Sequence, residues 1–224
     1  MEMNEGTIEL YLQAGGDKMG RYLNQGNENF QKSVNSEIYI DKTGLIEYTN
    51  RVINTLQGYV CISRPRRFGK SMAANMLTAY YSRGCDSREL FNEFEISKSM
   101  DFEKYRNKYN TISLNMQEFL SRSNNIDELI DRVKKLVLRD IKKEYPEVDY
   151  FDDTDLIESI QDVYEEKKCP FIVIIDEWDC IFREFRQDKE AQEKYLDFLR
   201  DLLKDKPRGK NESILNKDFL LGIG

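Results

Sequence analysis

The chain has 224 residues, of which 34 are basic and 41 acidic, so its formal net charge is −7. Hydrophobic residues make up 40% of the sequence and aromatic residues 12%, which suffices for a packed core and argues against a disordered chain. Histidine is absent, which excludes Ser-His-Asp and Cys-His catalytic pairs and histidine zinc sites. Any chemistry must therefore use carboxylates, lysine, arginine, backbone amides or a loosely held metal.

The cysteines and the apolar runs indicate the cellular compartment of the protein. Cys61, Cys85, Cys169 and Cys180 lie far apart and form no C-x-x-C pair, so we expect reduced, buried thiols. The first residues lack the basic and apolar regions of a signal peptide, and no apolar run is long enough to cross a bilayer. We expect a cytoplasmic protein without a membrane segment. The acidic balance gives no indication of nucleic-acid binding.

The predicted elements alternate between strands and helices, which favours an α/β fold with a parallel sheet between helices. Residues 1–35 are polar and rich in glycine and asparagine, and we expect a loosely docked arm. The α/β domain is predicted over residues 36–205, followed by a short segment at 206–224. Predicted strands cover residues 37–40, 59–62, 111–114, 171–175 and 219–223. Predicted helices cover residues 43–53, 71–81, 126–141, 156–164 and 195–202, with Asn125 and Asp155 as caps.

The first chemical motif runs from Ser63 to Ser71. It fits the phosphate-binding template G-x-x-x-x-G-K-[ST] except that Arg64 replaces the first glycine. A strand enters the turn and a helix follows it, so backbone amides and the helix dipole would face a phosphate. An exposed basic turn is the alternative that this pattern alone leaves open. The predicted nucleotide-binding residues are Arg64, Pro65, Arg66, Arg67, Phe68, Gly69, Lys70 and Ser71.

The second motif is an apolar strand, residues 171–175, that ends in Asp176 and Glu177. Open α/β sheets bind their ligands at the carboxyl ends of the strands. In a P-loop hydrolase, an Asp at this position and the Ser71 hydroxyl hold Mg²⁺, while an adjacent Glu activates water. The two motifs together predict nucleotide binding with Mg²⁺, with Lys70 and Glu177 as the catalytic residues.

Three segments, residues 39–44, 62–71 and 174–179, together resemble the AAA-ATPase-like family. These are predicted bacterial P-loop ATPases that are often followed by a PD-(D/E)XK nuclease-like domain. The resemblance covers roughly residues 25–205, and in that family an arginine stands where Arg64 stands here. It implies ATP rather than GTP as the ligand, and an additional-strand ATPase core. Trp178 occupies a position where the family usually has tyrosine.

The carboxyl-terminal segment departs from the family pattern. The family's sheet continues into a strand with a polar sensor residue and then a lid, whereas residues 206–224 contain a loop and one short strand. We therefore expect a divergent or truncated end. An ATP-binding switch or interaction module with little or no hydrolysis is the alternative to a Mg²⁺-dependent ATPase. A homo-oligomer or a separate effector protein stays open as the partner, with Arg183, Arg186 and Arg200 as candidate arginine fingers.

Four further patterns give weaker indications of function. Residues 216–219 lack the final Asp of the guanine-specific N-K-x-D pattern, which argues against a GTPase. Residues 165–167 offer E-x-K without the upstream Pro-Asp strand of a nuclease, so a charged helix end is expected. The aromatic residues at 80–81 and at 91 and 94 are expected in the core. Residues 41–43 are open to two interpretations, a helix cap or a contact to adenine.

Overall fold

Four parallel strands form the sheet of the protein in a computed structural model that describes residues 20–53, 55, 57–63, 68–203 and 220–223. The strands are β1 (Tyr59–Ile62), β2 (Asn110–Asn115), β3 (Phe171–Asp176) and β4 (Leu220–Ile223). The helices are α1 (Glu28–Val34), α2 (Gly44–Val52), α3 (Lys70–Tyr81), α4 (Arg88–Phe91), α5 (Phe102–Tyr105), α6 (Met116–Leu120), α7 (Ile126–Glu144), α8 (Leu156–Lys167), α9 (Cys180–Glu184) and α10 (Lys189–Leu203). A 3-10 helix covers Glu95–Lys98.

Most of the predicted elements are confirmed, because their sequence patterns are local. The four strands of the sheet and the helices α2, α3, α7, α8 and α10 lie where the apolar spacing predicts them. The caps are confirmed as well, since the Asn125 side chain accepts a hydrogen bond from the Glu128 amide. The Asp155 side chain accepts hydrogen bonds from the amides of Ile157 and Glu158.

The strand order in the sheet is β1-β4-β3-β2, with every neighbouring pair parallel. Strand β4 follows the other three in the sequence, yet it lies between β1 and β3. Parallel neighbours need crossover connections, which the helices between the strands supply. The order also separates β1 from β3, the two strands that precede the predicted chemical motifs.

Both faces of the sheet are covered, as the continuous apolar run of β3 predicted. Successive residues of β3 alternate between two core clusters. Phe171, Val173 and Ile175 pack with the helices α7, α8 and α10, while Ile172 and Ile174 pack with α2 and α3. Since every residue of β3 is buried, the strand is held from both sides. Its carboxyl end is therefore rigidly placed.

The described part of the predicted amino-terminal arm packs into the fold, which corrects the expectation of loose docking. Leu23 forms an antiparallel bridge with Ile112 of β2. The Tyr22 amide donates to the buried Asp140 carboxylate at 2.7 Å. Phe30 of α1 is fully buried in the cluster beneath α3. Residues 22–24 thus cover the outer edge of β2, which would otherwise expose unpaired backbone groups.

The strand predicted at residues 37–40 is wrong. Residues 37 and 38 form a bend, and residues 39 and 40 have no regular structure. Ile38 and Ile40 are 80% and 68% exposed, while the Tyr39 ring packs against Phe30 and Phe94. The β-branched side chains favour extended backbone here, but no described strand lies beside this segment to pair with it.

The structure tests two expectations, that the cysteines are buried thiols and that the chain has no membrane segment. All four cysteines are free, but Cys61 is exposed and Cys85 and Cys169 are partly exposed. The expectation of a buried thiol therefore holds for Cys180 alone. Among the described residues, no helix combines the length and the apolar character needed to cross a membrane.

The packing of α1 yields the first prediction. Replacing Phe30 by alanine leaves a cavity among Phe91, Tyr39 and Phe94, so Phe30→Ala should lower the free energy of unfolding by about 3–5 kcal/mol. Urea denaturation followed by circular dichroism measures the change. Met100→Ala is the matched control, because the Met100 side chain is fully exposed. Equal stability of the two variants would mean that α1 is not part of the core.

Candidate functional site

The candidate site lies at the carboxyl edge of the sheet, where all four strands end level with one another. The register pairs Ile62 with Ile223, Ile223 with Asp176, and Asp176 with Asn115. The turn that follows β1 and the acidic residues at the end of β3 therefore emerge at the same edge. Ligands of open parallel sheets bind at such an edge.

Helix α3 begins at this edge with Gly69 and Lys70. Gly69 is the N-cap residue and has φ 75° and ψ 33°, a left-handed conformation that glycine adopts at little cost. Glycine has no side chain to cap the first amides of the helix, so these donors are available to an anion. Phe68 and Ser71 are exposed on either side. Residues 64–67, which complete the predicted turn, lie outside the described residues.

Lys42 reaches this turn from the segment before α2. Its Nζ donates to the Phe68 carbonyl at 2.7 Å. The backbone beside Lys42 is anchored, because the Asp41 carboxylate accepts hydrogen bonds from the Thr43 amide at 2.7 Å and the Glu95 amide at 3.0 Å. Thr43 makes no side-chain cap to α2. Residues 41–43 thus tie α2 to the 3-10 helix and place an ammonium group at the turn, a role that the sequence did not reveal.

Asp176 is the buried acid of the site, with only 5% of its surface exposed. Its Oδ1 accepts a hydrogen bond from the Glu177 amide at 3.0 Å, and its Oδ2 accepts one from Asn115 Nδ2 at 3.3 Å. Burial raises the pKa of the Asp176 carboxyl, against the opposing effects of a hydrogen bond from Ser71 and the charge of Lys70. The start of α3 and the end of β3 therefore act on the same carboxylate.

Glu177 follows in a left-handed backbone conformation, with φ 53°, which is unusual for a residue with a side chain. Its Oε2 lies 2.5 Å from Nη2 of Arg183. Nη1 of Arg183 donates to both carboxylate oxygens of Asp179, at 2.8 and 2.9 Å. The candidate base thus has a basic partner from its own chain.

A cleft of about 700 Å³ opens at these groups. It brings together Gly69, Lys70 and Ser71 from the first motif and Glu177 from the second, whereas Asp176 is buried and does not line the cleft. The cleft is lined by Gly69, Lys70, Ser71, Met72, Asn115, Gln117, Glu118, Ser121, Glu177 and Arg183. Sequence reasoning missed Asn115, although its position directly after a predicted strand was a usable signal. Nothing in the sequence pointed to the side chains of α6.

The donor set fits one kind of metal site. Asp176 and Ser71 offer hard oxygen atoms of the type that Mg²⁺ prefers. Across the described part of the chain, no cluster of three or more Cys, Asp or Glu side chains could hold a metal ion. Mg²⁺ at a nucleotide site takes one or two protein ligands and completes its shell with phosphate oxygens and water. The residues present therefore suit a cation that is shared with a phosphate.

The three candidate arginine fingers occupy different places. Arg183 lies in the cleft of its own chain. Arg186 donates through Nε to the Arg183 carbonyl at 3.1 Å. Arg200 pairs with Asp197 at 2.6 Å on an exposed face of α10, as expected for a solvated helix charge.

Two of the weaker sequence patterns, the charges at residues 165–167 and the aromatic residues, have the structural roles that we expect of them. Lys167 pairs with Glu147 and Glu166 at the end of α8, which confirms a helix-end charge cluster. The aromatic rings of residues 80, 81 and 91 are fully buried, and that of residue 94 is partly buried, so they belong to the core. Residues 216–219 lie outside the described residues.

A comparison with protein families decides the relationship. The sequence model of the AAA-ATPase-like family, described as predicted AAA-ATPases, matches residues 25–224. The chain belongs to this family. The match confirms the resemblance carried by residues 39–44, 62–71 and 174–179 and extends it through β4. No curated protein and no solved structure matches the chain significantly.

Gly69 yields a prediction that depends on the backbone. A Cβ at this position would lie 2.7 Å from Lys42 Nζ, and φ 75° strains any other residue. Gly69→Ala should therefore lower the free energy of unfolding by about 1–2 kcal/mol. Gly44→Ala is the control, because a Cβ there meets no atom within 4 Å and alanine favours the helix. Urea denaturation that ranks Gly69→Ala above Gly44→Ala in stability would contradict the described turn.

Asp176 yields a prediction about pH. Because its pKa is raised in the folded chain, ionisation costs stability as pH rises from the ordinary carboxyl range through the raised pKa. The cost is complete above that pKa and absent only well below the ordinary aspartate pKa of about 3.9. Asp176→Asn should therefore be more stable than the wild type at pH 7, with a gain that disappears in acid. Thermal unfolding across this pH range measures it.

The control for this experiment is Asp131→Asn on α7, whose carboxylate is 68% exposed and pairs with Lys135 at 3.6 Å. An exposed ion pair contributes little to the free energy of unfolding. The stability of Asp131→Asn should therefore differ little from that of the wild type, both at pH 7 and in acid. A lower stability of Asp176→Asn at pH 7 would show that its neighbours favour the charged carboxylate more than burial opposes it.

Proposed function

We propose that the protein is a Mg²⁺-dependent ATPase whose phosphate site is the turn between β1 and α3. One observation carries the proposal: the start of α3, with Lys70 and Ser71, and the end of β3, with Asp176 and Glu177, meet at one edge of the sheet. Membership of a family of predicted AAA-ATPases supports nucleotide use.

Phosphate binding would use the groups at the start of α3. Gly69 allows the backbone to approach the phosphates, and the first amides of the helix donate to them. Lys70 lines the cleft and would reach the β- and γ-phosphates. The predicted positive charge of Arg64, Arg66 and Arg67 would add to this attraction.

The hydrolytic step would use carboxylates, which suits a chain without histidine. Asp176 and the Ser71 hydroxyl would hold Mg²⁺, which when bound neutralises the phosphate charge. Glu177 would orient a water molecule and accept its proton. Asn115 donates to Asp176 at 3.3 Å and would keep that carboxylate in place.

Two finer expectations belong to the proposal. The family resemblance implies ATP over GTP, and it implies an additional-strand ATPase core. The position of β4 between β1 and β3 supports the second expectation. We also propose a cytoplasmic location.

A second function is favoured by the contact between Arg183 and Glu177. A carboxylate held in a 2.5 Å ion pair is a poor base, because the arginine must be released before the oxygen can accept a proton. The protein would then act as an ATP-binding switch or interaction module with little hydrolysis. Steady-state phosphate release by the purified chain distinguishes the two functions.

The test combines binding with turnover. Calorimetric titration with ATP and GTP in the presence of Mg²⁺ should show a preference for ATP, and Lys70→Ala should weaken ATP binding about 10- to 100-fold through loss of a charged phosphate contact. Glu177→Gln should keep ATP binding and lose at least about 100-fold in phosphate release.

Lys135→Ala is the control, because Lys135 is 77% exposed on α7 and pairs only weakly with Asp131. It should bind and turn over ATP as the wild type does. Unchanged phosphate release by Glu177→Gln would exclude Glu177 as the base. Binding by the wild type without phosphate release would favour the switch over the ATPase.

A further inference from the structure

Arg183 lines the same cleft as Lys70 and Ser71 while it binds two carboxylates of its own chain. One terminal nitrogen, Nη1, is engaged by Asp179, four residues earlier in the sequence. The other, Nη2, is engaged by Glu177. About a quarter of each side chain of the Arg183–Glu177 pair is exposed, 26% and 25% respectively, so the pair is accessible from the cleft.

The two contacts of Arg183 differ in how readily they can be exchanged for another partner. Asp179 is the N-cap residue of α9 and Arg183 lies in the same short helix, so this contact is local. Glu177 belongs to the segment after β3 and approaches from a left-handed backbone conformation. The hydrogen bond with Glu177 raises the pKa of Arg183, which stays charged. A change of partner at Nη2 would leave the contact between Nη1 and Asp179 intact.

A guanidinium binds phosphate with the same planar geometry with which it binds a carboxylate. A terminal phosphate carries more negative charge than a carboxylate and would compete for Nη2. A diphosphate bound by Lys70 would lack the phosphate group that extends furthest. Arg183 is therefore placed to distinguish a triphosphate from a diphosphate.

We propose that Arg183 exchanges Glu177 for the terminal phosphate of a bound nucleoside triphosphate, while Asp179 holds the guanidinium in place. The exchange frees the Glu177 carboxylate to orient water when the terminal phosphate is present. This inference rests on the proposed function and adds regulation of the same site by a residue of the same chain. Arg183 is thereby a phosphate ligand in its own chain and not a finger for a neighbouring subunit.

Trp178 gives the exchange a direct readout. It is the single tryptophan of the chain, it lies between Glu177 and Asp179, and its ring packs edge-on against Phe182 at 5.8 Å. Movement of the Glu177 segment should change its fluorescence. The probes are Mg²⁺ with ADP and Mg²⁺ with the non-hydrolysable β,γ-imido analogue of ATP, so that turnover does not contribute to the signal.

We expect the triphosphate analogue to change the Trp178 emission and ADP to leave it nearly unchanged. In calorimetric titrations, Arg183→Ala should lose at least about tenfold in affinity for the analogue and less than about twofold for ADP. The same variant should show no fluorescence difference between the two nucleotides. Arg183→Lys, which keeps one charge, should retain part of the preference for the analogue.

Arg88→Ala is the matched control, because this exposed arginine pairs with Glu103 away from the cleft and should behave as the wild type does. An equal loss for both nucleotides, or an unchanged preference in Arg183→Ala, overturns the exchange while the proposed function stands. Absence of nucleotide binding by the wild type overturns both. If a thermal melt shows that Arg183→Ala is not folded, the test uses Arg183→Lys. A preference of Arg183→Lys for the triphosphate analogue over ADP that equals that of the wild type overturns the exchange.

Discussion

The parallel register of β3 with its neighbours is the constraint on which the candidate site depends. Hydrogen bonds on both edges and apolar packing on both faces leave this strand no freedom to slide. A shift by one residue would move Asp176 away from Asn115 and from the start of α3. The same enclosure desolvates the Asp176 carboxylate and raises its pKa. Burial of β3 thus both fixes the position of Asp176 and disfavours its charged form.

Basic side chains lie close to both acidic residues at the end of β3. Lys70 and Ser71 approach Asp176 from α3, while Arg183 holds Glu177 from the other side. Lys42 supports the turn itself through the Phe68 carbonyl. Under the proposed function, a polyphosphate would meet cations whose present partners are carboxylates and carbonyls of the protein. Binding would redistribute these contacts, with little need for large movements of the backbone.

Local patterns made the sheet strands, the main helices and both motifs predictable from sequence. Apolar runs identify β1 and β3, and helical spacing with Asn125 or Asp155 identifies α7 and α8. Contacts between distant segments were not predictable, because no local pattern encodes them: Lys42 and Phe68 are 26 positions apart. The wrong strand at residues 37–40 has the same origin, since propensity for extended backbone does not supply a neighbouring strand.

The place of β4 has a consequence for how the chain reaches its fold. Tyr59 and Val173 both pair with Leu220, so the centre of the sheet is completed by the strand that is synthesised after the other three. Until β4 is in place, β1 has no described neighbour and β3 is paired on the β2 side only, so both strands present an unpaired edge. Pairing over such long separations is slow. Completion of the centre of the sheet is thus expected to be a late step of folding, and the stage most exposed to aggregation.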